Sequence, residues 1–261
     1  YVETDPVTAE LRLAHGDRHT REAFANHHWL ATYGENLGAP DCGVPTNGLE
    51  AKYLRTRQPI DLDCWPMAYD RRAPHFTTIG NYRQQGSDVT YRGVRYYWSK
   101  HREWRKFIAL PRLTRQTFEL AMWPGPRDRR FLERHGWRLT PPLEMSLDVF
   151  GAYPDFIRRS RGEFTVAKDQ NVRLRSGWFS ERDACYLASG KPVVAQDTGF
   201  GCALPTGAGL FAVRTPVEAA AAIEAINRDY RRHCLQARRL ARDYFEAGAV
   251  ARRLLADIGL A

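Results

Sequence analysis

The chain has 261 residues and a formal net charge of +9, from 39 Lys and Arg against 30 Asp and Glu, with 43% hydrophobic and 12% aromatic residues. That composition supports a buried core and excludes a mainly disordered chain, and the length allows two small domains or one complete domain with part of another. No apolar run approaches the ~20 residues of a membrane helix, so no transmembrane span is expected.

The chain opens Tyr1-Val2-Glu3-Thr4-Asp5-Pro6. Without an initiator Met or the basic and apolar regions of a secretory signal, it is expected to begin partway through a longer protein. Residues 2–5 read as the end of a strand, followed by helices over about 8–15 and 17–28, the second with Asp17 as N-cap. Glycines and prolines break every period across 34–48, and an extended, proline-punctuated stretch runs on to about residue 72. Residues 1–73 therefore read as one strand and two helices left over from an incomplete α/β portion, followed by a linker.

From Pro74 the pattern becomes regular. Strands are expected over 75–79, 117–122, 137–139, 163–167, 192–195 and 209–213. Helices are expected over 97–110, 127–135, 147–159, 180–189, 216–226, 229–245 and 249–258, with a polar loop over 168–176. Pro192-Val193-Val194-Ala195 is apolar without alternation, as suits a parallel strand covered on both faces. Strand and helix in alternation imply right-handed crossovers and a Rossmann-like, doubly wound parallel sheet in residues 74–261. Ligands of such sheets sit outside the carboxyl ends of the strands, so the loops after 79, 122, 167, 195 and 213 should face a common crevice.

Several of these loops suit an anion. Ser176-Gly177 leads into a helix with Ser180 at its start, where backbone N–H groups and the helix dipole favour a phosphate; an ordinary capped helix start reads equally well. Asp197-Thr198-Gly199 forms a second small-residue turn. Lys168, Arg173 and Arg175 read as a cationic clamp on a diphosphate, or as a solvated, salt-bridged loop. Gly80-Asn81 reads as a close-approach turn for phosphate or acceptor, or as a simple turn.

The run Leu187-Ala188-Ser189-Gly190-Lys191-Pro192-Val193-Val194-Ala195-Gln196-Asp197-Thr198-Gly199-Phe200, followed by Gly209-Leu210-Phe211-Ala212-Val213 and Thr215-Pro216-Val217-Glu218, resembles the nucleotide-sugar half of GT-B glycosyltransferases of the family 1 and 4 type. The resemblance covers about residues 74–261 and rests on the order of elements more than on one signature. It implies a donor-binding domain and a hexosyltransferase moving sugar from a nucleoside diphosphate sugar, such as a UDP-sugar, to an unknown acceptor. No metal site and no cofactor beyond the donor are expected. The sequence departs from the family at two places. Many retaining members carry two glutamates eight apart, where this chain has Gly177 and Cys185; others show His-x-Gly-Trp, where only Gly177-Trp178 remains. The acidic residues left there are Glu181 and Asp183, which also suit the first turn of a helix as dipole-stabilising charges.

The catalytic residues are not identified by the sequence. Asp5 at a strand end, His101 at a helix start and Glu181 are the weak candidates for a base, each with a plain structural alternative: capping, an exposed histidine and dipole stabilisation. Donor binding falls to Gly80, Asn81, Lys168, Arg173, Arg175, Ser176, Gly177, Ser180, Asp197, Thr198 and Gly199. The five cysteines are odd in number and lack ligand spacing, which suggests reduced thiols and a cytoplasmic setting. Only Lys52, Lys100, Lys106, Lys168 and Lys191 are lysine, leaving 34 arginines. These are sprinkled over every expected helix rather than gathered on one element, so a non-catalytic basic module binding nucleic acid or another phosphorylated partner is the runner-up. A missing N-terminal half, or a partner chain supplying it, is the remaining partner expected.

Overall fold

The computed structural model describes residues 1–260. Its first part is more sheet-like than the sequence suggests. Three short strands, β1 (Val2–Glu3), β2 (Leu30–Thr32) and β3 (Tyr53–Arg55), pair in parallel in the order β1-β2-β3. Helices α1 (Thr8–Ala14) and α2 (Arg18–Ala25) join the first two strands, and the Asp17 carboxylate caps α2 by accepting from the Thr20 amide at 2.8 Å. At two or three residues each, these strands are too short to show a period of their own, and the sequence announced only β1.

The main sheet contains β4 (His75–Ile79), β7 (Thr117–Ala121), β8 (Trp137–Thr140), β9 (Gly162–Thr165), β10 (Val193–Gln196) and β11 (Leu210–Val213), all parallel. Their spatial order is β11-β10-β9-β4-β7-β8. Read from β8, the order in the chain is third, second, first, fourth, fifth and sixth, the doubly wound arrangement expected. Val193 and Val194 are fully buried between β9 and β11, confirming an inner strand.

Before the second strand of this sheet a hairpin intervenes that sequence reading did not detect. It comprises β5 (Val89–Tyr91) and β6 (Val94–Tyr96), turning on Arg92 and Gly93, both at positive φ. Only two residues separate its strands, and both occupy the left-handed region that such a tight hairpin requires.

The helices after the hairpin are α3 (His101–Lys106), α4 (Leu110–Leu113), α5 (Pro126–Arg134), α6 (Leu143–Leu147), α7 (Ala152–Arg158), α8 (Asp169–Leu174), α9 (Glu181–Ala188), α10 (Pro216–Arg228), α11 (Tyr230–Phe245) and α12 (Ala247–Asp257). Three expectations need correction. The helix placed over 97–110 begins only at His101 and breaks after Lys106. The one over 147–159 begins only at Ala152, after α6 has ended at Leu147, because the Asp148 carboxylate accepts from the Gly151 and Ala152 amides and starts α7 afresh. The supposed loop over 168–176 contains α8, whose polar Gln170 and Asn171 are buried: Gln170 donates to the Thr8 hydroxyl, and Asn171 accepts from Ser176. Burial by a distant segment, not apolar periodicity, makes this helix.

Two apolar clusters flank the main sheet. One gathers Trp104, Phe107, Phe118, Trp137 and Phe164; the other gathers Phe179, Tyr186, Leu187, Phe200, Leu240 and Phe245. A third joins Val7, Leu11, Leu37 and Val44 of the first part to Val89 and Leu174. Residues 1–73 thus share their apolar packing with the hairpin and α8. Ile60 adds a further tie, since its amide donates to Phe245 O and its carbonyl accepts from the Ala247 amide, at 2.7 and 3.1 Å. Among the described residues no helix is long and apolar enough to cross a membrane.

Candidate functional site

In the main sheet β4 and β9 are neighbours whose connections leave in opposite directions, so a crevice opens outside their carboxyl ends. Arg182 lies across it. This arginine sits in the first turn of α9, where a cation opposes the helix dipole. Its guanidinium donates to Ile79 O at the end of β4 (2.9 Å), to Thr165 Oγ1 at the end of β9 (2.8 Å) and to Glu163 and Asp183 (2.5 and 3.0 Å). Glu163 is fully buried and also accepts from Thr78, leaving its Oε2 without a partner. Burial pushes its carboxyl up to about 8, against the lowering influence of Arg182.

Two lysines stand beside this floor. Lys168, in the loop between β9 and α8, is nearly buried; its ammonium lies 3.0 Å from the centroid of the Trp98 ring and pairs with the Asp5 carboxylate in the loop after β1. Lys100 lies 5.4 Å from the Trp178 centroid. Burial, reinforced by Arg182, pulls the Lys100 amine down to about 7. Ser180, the N-cap of α9, makes no capping bond with its side chain. A small cavity of about 10 Å³ lies beside the crevice, between the end of β9 at Thr165, Arg182 and Asp183 of α9, and Gln196 of β10.

The expected donor residues divide into two groups. Gly80, Asn81, Lys168 and Ser180 belong to the loops or helix start around the crevice, and a Cβ on Gly80 would stand 3.5 Å from Arg182 Nη1. Arg175, Ser176, Gly177, Asp197, Thr198 and Gly199 instead form a junction with residues 34–43. The Asn36 amide donates to Ser176 O, the Gly43 amide to Leu174 O, and the Gly177 amide to Thr198 O at 3.1, 2.8 and 2.8 Å. A Cβ on Gly177, at φ +79°, would lie 2.3 Å from the Asn36 nitrogen. Its glycine is therefore required by an approaching backbone, and its amide is already engaged. Arg175 is spent on Asp41 and Asp197, at 2.9 and 3.2 Å. Although burial opposes it, the Gly199 amide together with Arg214 and Arg175 holds the Asp197 carboxyl below its ordinary range. Arg173 faces the hairpin, donating to Arg95 O and lying over Tyr96.

Of the candidate bases, Asp5 reaches the crevice through Lys168. Glu181 is exposed at the first position of α9 and, after burial, is what raises the Tyr33 phenol. His101 begins α3 with Nδ1 2.8 Å from Ser99 Oγ; burial and Arg83, Arg102 and Arg105 lower its pKa. Asp183 is buried against Arg182. Lys100 and Arg182 are not among the residues that the sequence singles out. An arginine between two acids in a helix's first turn was the available signal for Arg182; Lys100 offered none without the strand order. A larger cleft of about 570 Å³ lies on the far side of the Asn36 junction, lined in part by the paired Glu35 and Arg57, Cys202 and Tyr244.

A doubly wound sheet with a crevice at its switch point, docked against a second parallel sheet, is the GT-B fold of glycosyltransferases. Solved structures share it: HepE of Anabaena in complex with UDP, at 13% identity and TM-score 0.60, covers 99% of this chain and 71% of its own. Sucrose-phosphate synthase from Thermosynechococcus elongatus matches at 12% identity and TM-score 0.61, over 97% of this chain and 65% of its own. The pneumococcal O-GlcNAc transferase GtfA, in complex with UDP and GlcNAc, matches at 12% and 0.55, over 92% and 46%. The chain thus spans from about seven tenths to under half of these proteins. No family model matches it, and no curated protein does.

Proposed function

We propose that the chain forms the donor-binding side of a glycosyltransferase that uses a nucleoside diphosphate sugar. The observation that carries this reading is the gathering of Lys100, Lys168 and Arg182 with Trp98 and Trp178 at the carboxyl ends of β4 and β9, beside the start of α9. Three cations at a helix N-terminus suit a diphosphate, and they would stabilise the negative charge that develops on it as the sugar leaves. The indoles offer flat apolar surface for a base or sugar. The UDP and UDP-glucose bound by HepE, a protein of the same fold, support this assignment.

In this reading residues 1–73 belong to the acceptor side, and Asp5, paired with Lys168 beside the crevice, is the carboxylate offered to take a proton from an acceptor hydroxyl. The five cysteines, all free thiols, support a cytoplasmic setting. Nucleic-acid binding is less well supported, because many arginines are spread over separate helices and paired along them with carboxylates, as in Arg18–Glu22, Arg129–Glu133 and Arg239–Asp243. Calorimetry with UDP and dTDP, set against single-stranded RNA, tests the choice. Saturable nucleotide binding that is weakened at least tenfold by Lys168→Ala supports the transferase. Salt-steep binding of RNA alone overturns it.

A further inference from the structure

Beside the donor crevice the surface carries a second cationic feature that the proposed reaction leaves unused. Tyr97 and Arg102 divide two hollows of about 370 and 330 Å³, and both hollows are lined by Tyr97, His101 and Arg102. The Arg102 guanidinium stacks on the Tyr97 ring at 3.7 Å, and Arg95 approaches the same ring at 5.6 Å. Among the described residues Arg102 has neither a hydrogen-bond partner nor an ion-pair partner. The nearby carboxylates are committed elsewhere. Asp88 accepts from the Trp98 amide and from Arg95, Asp169 accepts from the Tyr97 amide and from Arg173, and Glu103 is bound by Lys106 and Gln196. Arg105 adds a further guanidinium, only loosely paired to Asp128 at 3.7 Å.

An arginine held over an aromatic ring is restrained by that contact while its N–H groups stay unpaired and open to solvent, an arrangement suited to a planar or tetrahedral oxyanion. The hollows also adjoin the crevice. Trp98, which carries the Lys168 ammonium, follows Tyr97, and Asp169, which holds the Tyr97 amide, follows Lys168. The larger cleft lined by Glu35 and Arg57 lies beyond the Asn36 junction and has no such common wall.

We propose that the Tyr97–Arg102 hollows bind an oxyanion carried by the sugar acceptor, so that the enzyme selects acceptors bearing a carboxylate or phosphate. This inference rests on the glycosyltransferase reading only in calling the ligand an acceptor. The chemistry required is a compact oxyanion on a saccharide, and a uronate and a sugar phosphate both supply it.

The test titrates the full chain with glucuronate, glucose 6-phosphate, inorganic phosphate and neutral glucose, following the backbone resonances of residues 95–106 by NMR, and titrates UDP separately. Saturable shifts with one or both charged sugars and none with glucose are expected, weakened at least tenfold in Arg102→Ala and less in Arg102→Lys, which keeps the charge without the planar fork. Response to glucuronate alone assigns a carboxylate site, and response to glucose 6-phosphate alone a phosphate site. Inorganic phosphate binding as tightly as either sugar overturns the acceptor assignment. Equal responses to glucose and the charged sugars, or unchanged binding in Arg102→Ala, overturn the site. UDP binding without sugar binding refutes this inference and spares the donor reading; sugar binding without UDP binding does the reverse.

Discussion

Lys191 stands between Gly190 and Pro192 at the amino end of β10, fully buried, with no hydrogen-bond partner for its ammonium. Burial pulls its pKa down from 10.5 to about 8, with Cys234 and Asp70 only partly compensating. A shift of that size corresponds to about 3 kcal/mol of native-state destabilisation. Below pH 8 the amine is protonated in both folded and unfolded chains, and the full penalty applies. Between pH 8 and 10.5 only the unfolded chain holds the proton, so the penalty fades as pH rises and stability increases. Lys191→Met retains the length and apolar stem without the charge. At pH 7 it should stabilise the protein by up to about 3 kcal/mol, roughly 6–12 °C in melting temperature for a chain of this size. Thermal melts of both proteins at pH 7 and pH 10 check this, with the gap shrinking at the higher pH. A less stable variant, or a gap that does not change with pH, would show that the ammonium has a partner or a path to water and would refute the reasoning.

Two further expectations concern the site. Gly177→Ala forces a Cβ against the Asn36 backbone at a positive φ, so left-handed strain of roughly 1–2 kcal/mol and overpacking of about 1–3 kcal/mol should lower the melting temperature clearly; unchanged melting with lost UDP affinity would return the phosphate seat to this turn. Lys100, with its amine near 7, is charged below that pH and neutral above it. UDP affinity should therefore fall as pH rises from 6.5 to 8.5, and a titration series in Lys100→Met that keeps the full slope would contradict the assignment.

The parallel sheet was legible because its inner strands are continuous apolar runs. Val193 and Val194 needed no knowledge of their neighbours to be placed, and Asp17 and Gly190 marked helix ends by local chemistry alone. What the sequence could not show was which loops end up side by side. The Ser176-Gly177 and Asp197-Gly199 turns carry the small residues of a phosphate loop, yet their space is taken by Asn36, which lies far away in the chain. Likewise Arg182 becomes the floor of the crevice only because β4 and β9 are neighbours, a pairing between strands distant in sequence. The residues of α8 carry no apolar period, because Gln170 is buried against Thr8 of α1 and Asn171 against Ser176.

The Asn36–Ser176 and Gly43–Leu174 backbone bonds, with the Trp178 indole donating to Thr4 O, rivet the two sheets together at the rim of the crevice. Swinging one sheet away from the other would break all three at once, at about 1 kcal/mol apiece before the loss of packing around Leu37 and Leu174. A hinge-driven cycle on the microsecond-to-millisecond scale is therefore costly in this molecule. Lys100, half-buried against the Trp178 ring, is the side chain left to turn on this fixed frame.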